Sequence, residues 1–143
     1  MSARSNLKAL IEGSEHYPDT WTVYDFPTRL QTFEDATKPV AIVIEQRELE
    51  AGSTSPDEHG IPISVDLLVW VVVDGTRGVR LPQLEDELEA AAETMIRILE
   101  PLADDAWNGA ATRDAYDEQK PAYRFPVSGT GRIAPPTPTD PEE

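Results

Sequence analysis

The chain of 143 residues contains no cysteine, which excludes disulfide bonds, thiolate metal sites and a cysteine nucleophile. It has two histidines, His16 and His59, so little imidazole is available for acid–base chemistry or metal binding. No apolar run approaches the roughly 18 residues that a membrane-spanning helix needs, and the first residues lack the apolar core of a signal peptide. These absences fit a protein that folds in a reducing cytoplasm without a membrane anchor.

Positive charge is also scarce. The chain carries 12 basic and 27 acidic residues, which gives a formal net charge of −15. Affinity for phosphate groups depends on lysine and arginine, so the composition predicts no net attraction to nucleic acid or to anionic membranes. The acidity either keeps the protein soluble or forms a surface that repels an anion, and composition leaves both interpretations open.

The strongest pattern lies in residues 61–73, where every odd position is apolar. The even positions are polar at first and then become apolar, at Leu68, Trp70 and Val72. Alternation with period two predicts a β-strand with one face on a core, and an apolar second face must be covered as well. A chain of this length has limited material for that purpose. We therefore predict that Leu68, Trp70 and Val72 contact another copy of the chain.

A second strand is predicted at residues 39–49, which begin apolar and end charged. Paired antiparallel with residues 61–73, it forms a long hairpin whose apolar ends meet and whose polar ends project together. The connection, residues 51–60, is longer than a tight hairpin turn and contains Asp57, Glu58 and His59. These three residues are candidates for contact with a partner, unless the connection is only a flexible loop.

The remaining pattern predicts an α+β fold: a small mixed or antiparallel sheet with a long β-hairpin, one long helix packed on the sheet and a short N-terminal helix. The short helix covers residues 3–12, and further strands are expected at 21–26 and at 122–127, where Pro126 favours an edge position. The long helix begins near Pro82, and its predicted core face contains Leu84, Leu88, Ala91, Ala92, Met95, Ile96 and Leu99. Residues 1–133 form one domain, and the proline-rich acidic residues 134–143 are predicted to be a disordered tail.

The sequence offers only weak candidates for a catalytic or metal-binding site. Ser55, Asp57 and His59 share one loop, but a flexible loop cannot hold a nucleophile in the required geometry. Asp57, Glu58 and His59 are neighbours without the spacing of a calcium loop. The helix carboxylates Glu85, Glu89 and Glu93 fit a solvated face better than a metal or acid–base pair. We expect no catalytic residue, metal or cofactor.

The order of elements resembles the tail terminator proteins of long-tailed (siphovirus) phages, particularly those of actinobacterial hosts. The likeness spans about residues 3–130 and lies in architecture, since no single motif is diagnostic. The residues that carry it are Trp21-Thr22-Val23-Tyr24 before Pro27, Pro39-Val40-Ala41-Ile42-Val43-Ile44, the strand from Ile63 to Val73, and the helix from Leu84 to Leu99.

The resemblance implies a structural virion protein without catalytic residues. Such a protein forms a hexameric ring that caps the tail tube at its head-proximal end, ends tube polymerisation and joins the tail to the head-side connector. Its partners would be further copies of itself, the major tail tube protein and the neck protein, with genomic DNA passing through the lumen unbound. Assembly would occur in the host cytoplasm. Two alternatives stay open: another connector protein of the same particle, and a small non-viral ligand-binding module or enzyme.

Overall fold

The computed structural model describes residues 3–27, 38–51, 61–74, 80–102, 106–116 and 120–133, with only the backbone for 130–133. The fold is α+β, as the sequence predicts, with two helices and a five-stranded mixed sheet in the described part. The elements are α1 (Ala3–Glu12), β1 (Trp21–Tyr24), β2 (Val40–Ala51), β3 (Ile61–Val73), α2 (Leu81–Leu99), a 3₁₀ turn (Glu100–Leu102), β4 (Thr112–Tyr116) and β5 (Lys120–Ile133). None of the helices in these ranges combines the length and apolar character needed to cross a bilayer.

The sheet is built around the predicted hairpin. Its strand order is β1-β2-β3-β5-β4, with β1 parallel to β2 and every other neighbouring pair antiparallel. Val40 pairs with Val73 and Ala51 pairs with Ile63, so the apolar ends of β2 and β3 meet, as the sequence predicts. A register shift between Gln46 and Glu48 marks a bulge within the charged half of β2. The central strand β3 therefore has a strand on each side along its length.

Both helices pack on one face of the sheet, which we call the helix face. The side chains of α1 and α2 bury there against odd-numbered residues of β3 and β5, among them Val69 and Phe125. The other face, which we call the open face, has a smaller cluster contributed by strands alone in the described residues. The cluster consists of Ala41, Val43, Val72, Tyr116 and Ala122, with Tyr24 and Trp70 packed against it.

One predicted core residue of α2 is wrong. Ile96 is exposed, whereas Ile98 is buried and takes the place that the sequence analysis gave to Ile96. At about 100° per residue, Ile96 lies roughly 100° around the helix from Met95, while Ile98 lies only about 60° away on the other side. The buried arc is centred near Met95, so Ile98 falls inside it and Ile96 outside.

The prediction of a short edge strand around Pro126 is wrong as well. β5 has 14 residues and lies between β3 and β4. β4 pairs only as far as Arg124, however, and the Ser128 N–H donates to the Ala106 carbonyl at 2.6 Å on the side away from β3. Alternate backbone N–H groups of a strand point to the same side, so the Pro126 nitrogen also faces away from β3. The proline thus occupies a position where the ladder loses no hydrogen bond.

β4 and α2 are joined by a bidentate ion pair. Arg113 Nη1 and Nη2 donate to the two carboxylate oxygens of Glu85 at 2.6 and 2.7 Å. The hydrogen bond with Arg113 lowers the pKa of Glu85 below its ordinary value of 4.5. The stabilisation is therefore fully present above about pH 4.5 and is lost as the pH falls through the lowered pKa.

We expect Arg113→Ala to lower the free energy of unfolding by less than about 1 kcal/mol at pH 7, because both side chains are nearly half exposed to solvent. The difference from the unaltered chain should shrink as the pH falls from 5 to 3, since protonated Glu85 no longer attracts the guanidinium group. Urea unfolding at several pH values measures it. Arg97→Ala, at the last turn of α2, is the control. An equal pH dependence for both variants would contradict the assignment.

Candidate assembly interface

The residues predicted to contact another copy lie in the open face. Val72 is fully buried and Leu68 is 8% exposed within the single chain. The inference that a second copy must shelter these two side chains is therefore wrong. Tyr116 of β4, a strand that the sequence analysis did not predict, lies in the same buried cluster as Val72 and supplies part of the cover. Of the three residues, Trp70 keeps substantial exposure.

Trp70 sits at the centre of a row that crosses all five strands. In register, the row runs from Tyr24 through Val43, Trp70 and Arg124 to Thr112. The indole packs edge-on against Tyr116, with ring centroids 5.3 Å apart, and its Nε1–H donates to Glu45 Oε1 at 3.3 Å. An amphipathic ring with its polar edge satisfied and its body partly exposed is typical of interface residues.

Asp57, Glu58 and His59, together with Ser55, lie outside the described residues. The other histidine, His16, is exposed in the turn after α1, with its Nε2 3.6 Å from Glu15 Oε1. Within the described ranges, no three histidine, aspartate or glutamate side chains are grouped so that they could hold a metal ion.

Beyond the flanking strands, the three central strands continue as what we call the ribbon: residues 44–51 of β2, 61–69 of β3 and 125–133 of β5. β1 pairs with β2 only as far as Val43, and β4 pairs with β5 only as far as Arg124. The cross-strand rows continue through the ribbon to Ile61, which pairs with Ile133. The ribbon is therefore a three-stranded extension whose two edges have no strand beside them in the described part of the chain.

The two sides of the ribbon differ in chemistry. On the helix side, apolar residues follow one another, and α1 lies so close that a Cβ added at Gly129 would meet the Cβ of Ala3 at 3.2 Å. On the open side, carboxylates and hydroxyls dominate. The described open-side residues are Glu45, Glu48, Glu50, Pro62, Ser64, Asp66, Leu68, Pro126 and Ser128. The helix-side residues are Ile44, Gln46, Leu49, Ala51, Ile61, Ile63, Val65, Leu67, Val69, Phe125, Val127 and Gly129, of which only Gln46 is polar.

An open cleft of about 480 Å³ lies where the ribbon leaves the body of the sheet. Arg47 and Arg124 border it together with Asp66, over an apolar floor that includes Leu68 and Pro126. The arginines lie near carboxylates: Arg47 is 3.6 Å from Glu45, and Arg124 Nε is 3.0 Å from Asp114. Among the described residues, the buried Nε of Arg124 nevertheless has no hydrogen-bond partner. Two guanidinium groups and one carboxylate border the cleft, and each guanidinium group has a second carboxylate nearby, so the cleft suits a polar protein contact better than a phosphate group.

Sequence reasoning missed two parts of this region. Trp107, expected in a loop, is buried, bridges to Val127 and donates from Nε1 to the Ala110 carbonyl at 2.9 Å. The continuation of β5 through Gly129 to Ile133 was also missed. The only available signal was the alternation of small and larger residues after Pro126. Glycines make such an alternation a weaker indication of a strand.

No protein-family model matches the chain, and no curated protein sequence matches it significantly.

Proposed function

We propose that this chain is a structural virion protein that caps a phage tail tube as a ring of six copies. In this role it ends tube polymerisation and joins the tail to the head-side connector. The observation that carries the proposal is the ribbon, a three-stranded extension with a carboxylate-rich side and two edges that no described strand covers. Such an extension supplies surface for contact with other subunits, and the order of elements is the feature on which the resemblance to tail terminators rests.

The charge distribution supports a passage for DNA. The open side of the ribbon carries Glu45, Glu48, Glu50 and Asp66 against Arg47. Directed toward a lumen, these carboxylates repel phosphate groups and let DNA slide without binding. Asp57 and Glu58, which follow Glu50 in the sequence, are further acidic residues of this part of the chain and lie outside the described residues. The location we propose is the head-proximal end of the virion tail, after assembly in the host cytoplasm.

The proposal is tested by assembling tubes with the full chain present. The major tail tube protein that we propose as its partner is allowed to polymerise with and without it, and tube lengths are measured by electron microscopy. We expect short, capped tubes and a ring of about 95 kDa, six times the chain mass of 15.8 kDa. Tubes of unchanged length without a ring at their ends would refute the proposal.

A charge-reversal pair tests the lumen assignment. Glu48→Lys with Glu50→Lys changes the open side of the ribbon, whereas Glu89→Lys with Glu93→Lys changes the exposed side of α2 by the same net charge. We expect the ribbon variant, assembled with tube protein, to retain double-stranded DNA, and the α2 variant to release it as the unaltered chain does. Equal retention by both variants would contradict an inward-facing ribbon.

A second candidate is a small ligand-binding module, and the cleft beside Arg47 and Arg124 is the observation that favours it. Its volume of about 480 Å³ lies in the range of small-molecule sites. A small molecule that saturates the cleft, with no effect on tube length, would favour this candidate over the ring.

A further inference from the structure

The ribbon has two long backbone edges on opposite sides. On one side, residues 44–51 of β2 run beyond the end of β1, and on the other, residues 125–133 of β5 run beyond the end of β4. Ala106 and Trp107 lie beside Val127 and Ser128, so the part of the β5 edge beyond them is residues 129–133, five residues against the eight of β2. Strand edges present rows of unpaired N–H and C=O groups, which pair readily with another strand.

The backbone direction of the β5 edge follows from one hydrogen bond. Ser128 N–H donates to the Ala106 carbonyl on the side away from β3, where Trp107 bridges to Val127. Because alternate residues of a strand repeat this direction, the N–H and C=O groups of Thr130 and Arg132 also point away from β3. No described strand lies beside these two residues, so the last part of β5 offers backbone donors and acceptors at an edge.

The two edges differ in how strongly their side chains oppose pairing with another strand. Charged side chains on an edge strand oppose unintended pairing, and β2 carries Glu45, Arg47, Glu48 and Glu50 in this stretch. The β5 stretch carries one charged residue, Arg132, and two glycines. The β2 edge therefore has a net charge of −2 and the β5 edge a net charge of +1. The edges are complementary to each other, whereas two β5 edges or two β2 edges would repel.

We propose that the β5 edge of one copy pairs with the β2 edge of the next copy, which joins the ribbons into one continuous sheet. β2 and β5 both run antiparallel to β3, so they run parallel to each other, and copies related by rotation about a ring axis pair them in parallel. Each polar open side then continues into the polar open side of the next copy. This head-to-tail contact deepens the ring proposal but needs no tail tube, so either can fail alone.

The absence of cysteine in the full chain allows a direct cross-linking test. Thr130→Cys and Glu50→Cys are prepared as separate full-length variants, because both positions pair with Ser64 in one cross-strand row, beyond the segment that lies beside Val127 and Ser128. A bismaleimide linker of about 8 Å bridges adjacent strands, which lie ~4.8 Å apart. It does not bridge two copies of position 130 in neighbouring chains, which the proposed pairing separates by three strand spacings, about 14 Å.

We expect cross-linked dimers when the two variants are mixed and none from either variant alone. Replacing the Glu50 variant with Glu48→Cys or Glu45→Cys scans the register, and one of the three positions should react best. Glu93→Cys, on the exposed side of α2, replaces the β2 variant as a control and should give no dimer. A dimer from Thr130→Cys alone would overturn the proposal in favour of a symmetric β5 contact, and the absence of a dimer from every mixture would overturn it as well.

A second variant addresses the backbone directly. Thr130→Pro removes an N–H that points away from β3 and puts a ring in the path of a neighbouring strand, while the ladder with β3 is kept. We expect the association constant between copies, measured by analytical ultracentrifugation, to fall about tenfold or more, with the thermal unfolding midpoint of the monomer little changed. Unchanged association would overturn the edge contact.

Discussion

Replacing Phe125 with alanine should lower the free energy of unfolding by about 3–5 kcal/mol, the usual cost of removing a fully buried phenylalanine. Phe125 has no exposed surface, pairs with Val69 of the central strand, and lies 6.0 Å from Trp107, centroid to centroid. The cavity left by the ring would separate β5 from the segment that protects its edge. A loss of this size is a large part of the total stability of a domain, which is typically 5–15 kcal/mol.

Urea unfolding followed by tryptophan fluorescence and by far-ultraviolet circular dichroism measures the loss. Phe26→Ala is the matched control, because the same ring is removed from a side chain that is 49% exposed and contacts Tyr24 edge-on. We expect the control to cost about 1 kcal/mol or less. Similar losses in the two variants would mean that β5 is not the interior strand described above.

Replacing Ile11 with alanine should cost about 2–4 kcal/mol, because α1 depends on this side chain for its attachment to the sheet. Ile11 is fully buried in the main core, while its neighbour Leu10 is 40% exposed. An isolated helix of ten residues is marginal in water, so α1 is held by packing more than by its own propensity. Weakening that packing uncovers the apolar side of the ribbon where Ala3 meets Gly129.

Leu10→Ala removes an aliphatic side chain of the same size from the adjacent position of the same helix. We expect it to cost less than about 1 kcal/mol in the same denaturation experiment. Hydrogen exchange provides an independent readout: in Ile11→Ala the amides of α1 should exchange much faster than those of β3. If Leu10→Ala were the more damaging variant, the assignment of the buried face of α1 would be wrong.

The hairpin could be predicted from sequence because two gradients agree. β2 begins apolar and ends charged, β3 begins half polar and ends apolar, and antiparallel pairing brings the apolar ends together. That pairing is confirmed, with Val40 opposite Val73. The helices were predictable because their apolar residues recur at spacings of three and four positions. The error at Ile96 arose because this residue lies just outside the buried arc of α2.

β4 and the interior position of β5 could not be predicted from the same kind of pattern. Four of the five residues of β4 are exposed and only Tyr116 is buried, so its sequence shows no alternation. β5 contains two prolines and two glycines, and each of its residues that pairs with β3 lies at least 50 residues after its partner in the chain. Such a pairing depends on tertiary packing, which outweighs local preference in strands.

The inference that a second copy must cover Leu68 and Val72 failed for a related reason. Alternation established correctly that Leu68 and Val72 need cover on the open face, but it could not establish which residues supply that cover. Tyr116 comes from the unpredicted strand β4, and it removes part of the need for another copy. What was missed is the mismatch in strand length, since a short β1 and a short β4 leave both edges of the ribbon uncovered by any described strand.

The length of β3 has a consequence for how related chains can vary. Its 13 residues span about 43 Å, and the ribbon acts as a fixed spacer between the helices and its far end. Removing one residue from each strand of the ribbon would turn every side chain beyond the deletion to the opposite surface, so that acidic side chains would replace apolar ones under α1 and apolar ones would face the open side. Removing two would shorten the spacer by about 7 Å and leave its chemistry intact. Folded homologues should therefore differ in the length of the ribbon by even numbers of residues per strand.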